Sequence, residues 1–434
     1  TLSQFNSLLY FVKNGRRKEE NMKTRRLIVM IVILTMLASG CSSLAPQPTP
    51  EPTATPVPTP TQVPTLSPEE EAAELAKIEA ELEEQKHLEK VERAKDLKIV
   101  FLIPGTLENP MYNSAYMGLK KVEEEFGSTI SYVEMGNKPR GWEAPFLSAL
   151  DEDWDFIITL DDFVYDKNSN VMTNLVSEHA PSHPEKTFVH LWGFYGSIPS
   201  NVVKTNYNMN EATFLAGACA ALVTTSGMEL ANEQPLIGFV GGMSFYPIKN
   251  MMMLGYIEGA KYVNNDIKIA ISYTEDFNNK GLGEKQAVKQ YATGVDVIFQ
   301  AAGQTGYGVI DAAQAADRYV IGVDTDQAKE LEADYPEKAA HILTSTLRMY
   351  DGVIFWVIDQ YAAGTLEPGI EYTLGIAENA VGIVKNSYYD QLDSNIKTEL
   401  AEIEEKIKSK EIDLSNLAGM DDGSIDDLVR SVEP

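Results

Sequence analysis

Two features in the second half of the sequence have the residue types and spacing to hold a polar molecule. Asp324 directly follows the apolar run 319–323, and a carboxylate there accepts hydrogen bonds from two hydroxyls of one sugar, because its oxygens only accept. The glycine-rich segment 303–308 (GQTGYG) joins an apolar run to a helical pattern, so its N–H groups can face a polar ligand. Two simpler interpretations remain open: Asp324 caps the next turn, and the glycines only close a tight turn.

The sequence contains no recognisable catalytic signature. It has no GxSxG motif, no HExxH motif and no P-loop. Of the five histidines, only His179 and His183 have the i,i+4 spacing of a helical metal site, and Pro181 between them interrupts a helix. Cys219 lies in a small-residue helical pattern typical of a buried, inert thiol. We therefore predict no enzyme, no metal site and no cofactor.

The composition excludes several classes of protein. The 434 residues include 36 Lys and Arg against 64 Asp and Glu, a net charge of −28. This excess of acid argues against nucleic-acid binding, which needs a basic surface. Two cysteines cannot form a disulfide framework. The length suggests two or three domains, and the 44% hydrophobic content is ordinary for globular domains.

The segment that starts at Met22 has the pattern of a secretory signal. Basic residues at 23–26 precede an apolar run at 27–37 and the small residues 38–40. The run is shorter than the ~20 residues that span a bilayer, so a transmembrane anchor is the less favoured alternative. The tetrad Ala-Ser-Gly-Cys at 38–41 resembles the bacterial lipobox, which implies that Cys41 is lipid-modified and that residues 1–40 are removed.

A linker and an acidic helix are predicted next. Residues 41–68 carry the lipid-attachment Cys and a Pro/Thr-rich segment, which favours an extended, semi-rigid spacer. Ser67 and Pro68 are typical of a helix start, and 69–96 is predicted as an acidic spacer helix. Leu75, Ile78 and Leu82 share one face, but too few heptads follow for a coiled coil.

From residue 97 onward, apolar runs alternate with helical patterns. The runs typical of buried strands are 97–103, 156–158, 187–189, 236–240, 268–271, 295–299 and 319–323. Such alternation predicts parallel sheets covered by helices on both faces. The segment is too long for one core, so we predict an α/β fold of two doubly wound lobes. Ligands of such sheets bind beyond the carboxyl ends of the strands.

Several long segments in order closely resemble the basic membrane lipoprotein family, also called the PnrA-like family. They are 201–223 (NVVKTNYNMNEATFLAGACAALV), 236–273, 290–313 (QYATGVDVIFQAAGQTGYGVIDAA), 319–327 (YVIGVDTDQ) and 343–348 (LTSTLR). The resemblance runs from about residue 98 to 410. It implies a type I periplasmic-binding-protein fold, with two lobes joined by a hinge and a nucleoside in the cleft. The lobes are then 97–205 plus about 345–368, and 206–344 plus about 369–410. An acidic tail follows at 411–434, and its part beyond Gly419 is most simply a solvated end.

The resemblance assigns ligand contacts in the second lobe. Asp324 matches an Asp that binds ribose, and Phe277 matches an aromatic residue that covers one face of the base. Arg348 stands where the family carries a sugar-binding Lys, which its planar fork does not simply replace. Gly303, the first residue of the glycine-rich segment 303–308, is also predicted to contact the ligand. The simpler interpretation of Phe277 is that it belongs to the hydrophobic core.

The first lobe departs further from the family pattern. Where the family has Asp-x-Ser-Phe-Asn, this chain has Asn109, Tyr112 and Asn113, so Tyr112 is predicted to stack on the base and the two amides to read its edge. Asp162 follows the run FIITL, and Trp192 replaces a common Asp. Lost carboxylates leave open whether the ligand is a purine nucleoside.

Two functions follow from these patterns. The first is a lipid-anchored binding protein on the extracytoplasmic face of the cell membrane, which closes over a nucleoside-like molecule and delivers it to the permease subunits of an ABC importer. The second is a ligand-sensing or scaffold lipoprotein with the same fold and a changed ligand, whose acidic helix contacts a partner. Nucleic acid is not an expected partner of either.

Overall fold

The computed structural model describes residues 67–160, 170–193 and 195–434. The predicted signal peptide, Cys41, most of the linker and Asp162 lie outside these residues. Among the residues described, none of the helices combines the length and apolar character that a membrane span requires. Nor does any group of three or more His, Cys, Asp or Glu side chains there stand in position to hold a metal ion.

Helix α1 (Pro68–Ala94) leads into the first lobe. Its last turns are anchored: Lys90 Nζ lies 2.6 Å from Asp359 Oδ1, and Ala94 is buried in the core. Leu75, Ile78 and Leu82 are each about half exposed, as the single apolar stripe on an acidic helix suggests. The role of α1 as a spacer remains a prediction.

The first lobe is built on a six-stranded sheet. Its strands are all parallel, in the order β2-β1-β3-β4-β5-β11. They are β1 (Lys98–Ile103), β2 (Thr129–Glu134), β3 (Phe156–Leu160), β4 (Thr187–Leu191), β5 (Val202–Tyr207) and β11 (Glu371–Leu374). The helices of this half of the fold are α2 (Pro110–Phe126), α3 (Glu143–Asp151), α4 (Val171–His179) and α11 (Tyr350–Ala363).

The second lobe repeats the same strand order. Its sheet runs β7-β6-β8-β9-β10-β12, and only the edge strand β12 is antiparallel to its neighbour. The strands are β6 (Leu236–Gly241), β7 (Lys268–Tyr273), β8 (Val297–Ala301), β9 (Tyr319–Gly322), β10 (Ile342–Arg348) and β12 (Val381–Ile383). The helices are α5 (Met209–Thr224), α6 (Leu254–Val263), α7 (Lys280–Ala292), α8 (Gly306–Ala316), α9 (Gln327–Glu332), α10 (Pro336–Ala339), α12 (Ser394–Lys408) and α13 (Asp422–Val432).

The two sheets confirm the predicted fold class of two doubly wound parallel-sheet lobes. In each sheet the strand order reverses between the first and third strands, β1 and β3 in one lobe, β6 and β8 in the other. A doubly wound sheet opens a crevice at that reversal, outside the carboxyl ends of its strands. Both lobes therefore contribute a crevice from which a ligand site can be assembled.

The chain passes between the lobes at positions that differ from the predicted lobe boundaries. The predicted boundaries place residues 345–348 in the first lobe, but these residues belong to β10, which pairs with β9 of the second sheet. The same boundaries place residues 371–374 in the second lobe, but these form β11, which pairs with β5 of the first sheet. The chain thus passes from one lobe to the other three times, after β5, after β10 and after β11. Strand pairing over long sequence distances decides these boundaries, and no local pattern reveals it.

The C-terminal segment also differs from expectation. The sequence suggested that the tail beyond Gly419 is a solvated end, yet α13 packs on the second lobe with Ile425 and Val432 buried. Lys249 Nζ lies 3.2 Å from Asp422 Oδ1 and connects the two. The acidic composition concealed an amphipathic pattern, 425, 428, 429 and 432, which has helical spacing.

Helices α5 and α6 of the second lobe cross at very short distance. A Cβ placed at Gly259 would lie 1.9 Å from the Phe214 carbonyl oxygen, and one at Gly217 would lie 2.0 Å from the Tyr256 carbonyl oxygen. Only glycine permits this approach of two backbones. Cys219 is fully buried on α5, and burial raises the pKa of its thiol to about 12, so the thiol stays protonated and inert, as its sequence context indicates.

Candidate ligand-binding cleft

A cleft of about 670 Å³ lies where the carboxyl ends of the strands of the two lobes meet. Its volume is in the range of small-molecule sites. The first lobe contributes the starts of α2 and α11, and the second contributes the segments after β6, β7, β8, β9 and β10. The lining residues are Pro110, Met111, Ser114, Ile248, Met252, Phe277, Asn278, Ala301, Gly303, Gln304, Val323, Asp324, Thr325, Asp326, Lys329, Glu330, Leu347, Arg348, Met349, Tyr350 and Asp351.

An aromatic ring supported by glycines forms one apolar wall. Phe277 is 8% exposed and meets Phe245 edge to face, with ring centres 6.0 Å apart. A Cβ at Gly242 would lie 2.3 Å from the Phe277 ring, so glycine is needed for the ring to occupy this place. Gly303 has φ +56° and lies beside the same ring, while Thr305 N donates to the Phe277 carbonyl at 3.0 Å. The glycine-rich segment therefore positions Phe277 as well as lining the cleft.

Asp324 is the carboxylate at the end of β9. Its Oδ1 lies 3.3 Å from Arg348 Nη1, and its side chain is 43% exposed in the cleft, whereas the Arg348 side chain is 10% exposed. Its φ is +66°, a conformation uncommon for a residue other than glycine. The turn that follows is capped by Asp326, whose Oδ1 accepts from Lys329 N at 3.0 Å. Asp324 is thus not the helix cap that the simpler interpretation proposed.

The predicted residues of the first lobe lie differently. Asn109 caps α2, with its Oδ1 accepting from Met111 N at 2.9 Å. Tyr112 is 3% exposed in the lobe core, and its hydroxyl donates to the Pro104 carbonyl, so its ring offers no open face to the cleft. Asn113 is exposed on α2 and lies outside the cleft wall. The helical period explains this, since it turns positions 110, 111 and 114 toward the cleft and 112 inward.

Trp192 does not line the cleft but lies behind Arg348. Its ring centre is 4.4 Å from Arg348 Cζ. Four of the nine predicted ligand contacts therefore share the cleft, namely Phe277, Gly303, Asp324 and Arg348. Asn109, Tyr112, Asn113 and Trp192 lie outside its wall, and Asp162 lies outside the described residues.

The chain matches a protein-family model over residues 96–417, and the model describes PnrA-like substrate-binding proteins of ABC transporters. The chain belongs to this PnrA-like family. Basic membrane protein D of Borreliella burgdorferi (strain JD1) is 31% identical over 253 residues, 56% of this chain and 67% of the relative. Basic membrane protein A of Borreliella burgdorferi (strain ATCC 35210 / DSM 4680 / CIP 102532 / B31) is 29% identical over 321 residues, 73% of this chain and 86% of the relative.

Solved structures share the fold of this PnrA-like protein. A solute-binding protein of an ABC transporter system from Aeropyrum pernix K1 aligns with a TM-score of 0.55 at 19% identity, over 77% of this chain and 97% of that one. A second, from Conexibacter woesei DSM 14684, aligns with a TM-score of 0.57 at 16% identity, over 74% and 99%. Family membership indicates a substrate-binding protein rather than an enzyme, with a small-molecule ligand, a transporter as partner and an extracytoplasmic, membrane-associated location.

Several cleft residues of this PnrA-like protein were not singled out from the sequence. Three thioethers line the cleft: Met111 from the first lobe, Met252 from the second and Met349 from the crossing after β10. Asp351 faces the cleft from the start of α11. Methionines adapt to ring-shaped ligands, because the side chain is flexible and polarisable. Met349 directly follows β10, which is the one available signal, and it is weak, because methionine is also a common core residue.

The charges around the cleft are predominantly negative. Among the residues that the structure describes, four carboxylates line it (Asp324, Asp326, Glu330 and Asp351) against two cations (Lys329 and Arg348). Both cations are paired with carboxylates, Lys329 with Glu332 and Arg348 with Asp324. Burial raises the pKa of Tyr350, so its phenol remains protonated and able to donate. The cleft therefore favours a neutral or cationic ligand over an anionic one.

Proposed function

We propose that this protein is a lipid-anchored substrate-binding protein of an ABC importer that binds a nucleoside or a related small molecule between its lobes. The observation that carries the proposal is the presence of Phe277, Asp324 and Arg348 in one interlobe cleft of about 670 Å³. Their chemistry matches the parts of a nucleoside. An aromatic ring covers the base, and a carboxylate accepts from the sugar hydroxyls.

The opposite face of the base would meet methionine rather than an aromatic ring. Met111 enters the cleft from the first lobe, where the sequence suggested Tyr112. A thioether packs well on an aromatic face, so the ring of the ligand would lie between Phe277 of the second lobe and Met111 of the first. Binding would bring the two lobes together, because each contributes one side of this sandwich.

A partly buried carboxylate ties two of the three chain crossings together and supports such a hinge. Glu211, at the start of α5, accepts from Ile376 N at 2.7 Å and from Asn208 Nδ2 at 2.8 Å. Burial raises the pKa of Glu211, while these donors oppose the shift. The crossings after β5 and after β11 therefore move as one unit during closure.

Titration calorimetry with a panel of purine and pyrimidine nucleosides tests the proposal. We expect at least one nucleoside to bind, and its 5′-monophosphate to bind at least about tenfold more weakly, because each uncompensated like-charge contact is unfavourable. Binding should be lost in Phe277→Ala. A folded protein that binds no nucleoside, or that prefers the monophosphate, contradicts the proposal.

Membrane attachment would come from Cys41, the lipobox cysteine. We expect the full chain, produced in bacteria fed labelled palmitate, to incorporate the label and to sediment with membranes. Cys41→Ser should lose both properties, whereas Cys219→Ala, which removes the buried thiol of α5, should retain both. Label retained in Cys41→Ser would disprove this anchor.

The alternative is a ligand-sensing or scaffold lipoprotein with a changed ligand. The observation that favours it is the half-exposed stripe formed by Leu75, Ile78 and Leu82 on α1. An apolar stripe on an acidic helix is typical of a contact surface for another protein. Absence of nucleoside binding by a folded protein would favour this function over transport.

A further inference from the structure

Arg348 and Trp192 form a contact that joins the two lobes. Trp192 directly follows β4 of the first lobe, and Arg348 is the last residue of β10 of the second. Arg348 Cζ lies 4.4 Å from the centre of the indole, so the guanidinium stacks on the face of the ring. A desolvated cation over an aromatic face is attracted by the ring quadrupole.

The indole is held from behind by other aromatic side chains. The Tyr207 ring is nearly parallel to it, with centres 5.9 Å apart and an interplanar angle of 30°. Tyr350 in turn lies 5.2 Å from Tyr207, and both tyrosines are buried. Trp192 has φ +64°, an unfavourable backbone conformation for a bulky residue. Strain of this kind persists only where the surroundings fix it, which is typical of functional sites.

On the cleft side, the same guanidinium is paired with the carboxylate of Asp324, the residue predicted to bind the sugar. Arg348 Nη1 lies 3.3 Å from Asp324 Oδ1, so the three side chains follow in the order Trp192, Arg348, Asp324 from the first lobe into the cleft. The sequence resemblance marks both Trp192 and Arg348 as departures from the family pattern. The structure puts the two departures in contact, and a lysine ammonium could not stack flat on the indole as a guanidinium does.

We propose that Trp192 is a positioning residue of the ligand site. It fixes the Arg348 guanidinium from the opposite lobe, and Arg348 fixes the Asp324 carboxylate that accepts from the ligand. Because the stack spans the lobes, it also couples lobe closure to the shape of the site. The effect on affinity rests on the proposed function, whereas the stack itself does not.

The stack is tested without any ligand by NMR of the full chain. The Nε–H resonance of Arg348, assigned by its loss in Arg348→Lys, should be shifted upfield by the ring current of the indole. Trp192→Leu should remove this shift, and Trp192→Phe should retain part of it. Trp356→Leu is the matched control, since Trp356 packs on Tyr372 away from the cleft and its loss should leave the resonance unchanged. An Arg348 resonance unaffected by Trp192→Leu overturns the proposal.

The consequence for binding is tested with the same nucleoside panel. For a nucleoside that binds the wild type, Trp192→Leu should weaken affinity about tenfold, within the range of a desolvated cation–π contact. Trp192→Phe should stay within about threefold, and Trp356→Leu should bind as the wild type. Wild-type affinity in a folded Trp192→Leu variant overturns the positioning role. If no nucleoside binds the wild type, the proposed function fails, and the NMR experiment alone decides whether Trp192 holds Arg348.

Discussion

Asp324→Ala is expected to lower nucleoside affinity by about 100-fold or more. The carboxylate is 43% exposed in the cleft, and the proposed ligand donates two hydroxyls to it. Each hydrogen bond to a charged acceptor contributes about 1.5–3 kcal/mol, so losing two exceeds a factor of about 100. The substitution also removes the partner of Arg348, whose side chain is only 10% exposed. Titration calorimetry with the nucleoside that binds the wild type measures the effect.

Two variants separate recognition from a general disturbance. Asp324→Asn retains the shape and one acceptor oxygen, so we expect a loss of about tenfold. Asp334→Ala removes an exposed carboxylate of the same lobe that lies outside the cleft wall, and it should bind as the wild type. Asp324→Ala within threefold of the wild-type affinity would show that the carboxylate does not contact the ligand.

Gly259→Ala is expected to destabilise the protein by about 2 kcal/mol. The added Cβ would lie 1.9 Å from the Phe214 carbonyl oxygen, which is backbone of α5 and cannot rotate away. Forcing an extra carbon into a packed core costs about 1–3 kcal/mol, and a 1.9 Å contact with backbone lies at the upper end of that range. The higher helix propensity of alanine offsets about 1 kcal/mol, which leaves about 2 kcal/mol. Urea denaturation followed by circular dichroism measures the loss, and Gly259→Val should lose more.

A second glycine distinguishes steric contact from propensity. A Cβ at Gly281, in the first turn of α7, would meet only Asn279 Oδ1 at 3.6 Å, an ordinary contact distance. Gly281→Ala should therefore leave the free energy of unfolding unchanged or raise it slightly. Equal stability of Gly259→Ala and Gly281→Ala would contradict the close crossing of α5 and α6.

The candidate site could be predicted only in part, because some of its residues follow strands and others lie on a helix. Asp324 and Gly303 follow strands, and a doubly wound sheet brings such positions to one edge whatever surrounds them. Tyr112, by contrast, lies one position past Met111 on a helix, and one position is 100° of rotation. The sequence predicts the helix but not its rotation about its own axis. The predicted contact is therefore the aromatic ring of Tyr112, whereas the structure places the thioether of Met111 in the cleft.

The sequence by itself determined the α/β class, the two lobes and the end of the strands at which the cleft lies, because apolar periodicity and strand–helix alternation are local properties. Only the tertiary structure decided that β10 and β11 exchange lobes, that α13 packs instead of being solvated, and that Trp192 stacks on Arg348. Each of these depends on contacts between segments far apart in the chain. The stabilising free energy of each contact comes from the interface between the two packed segments, so the sequence of one segment alone does not determine its partner.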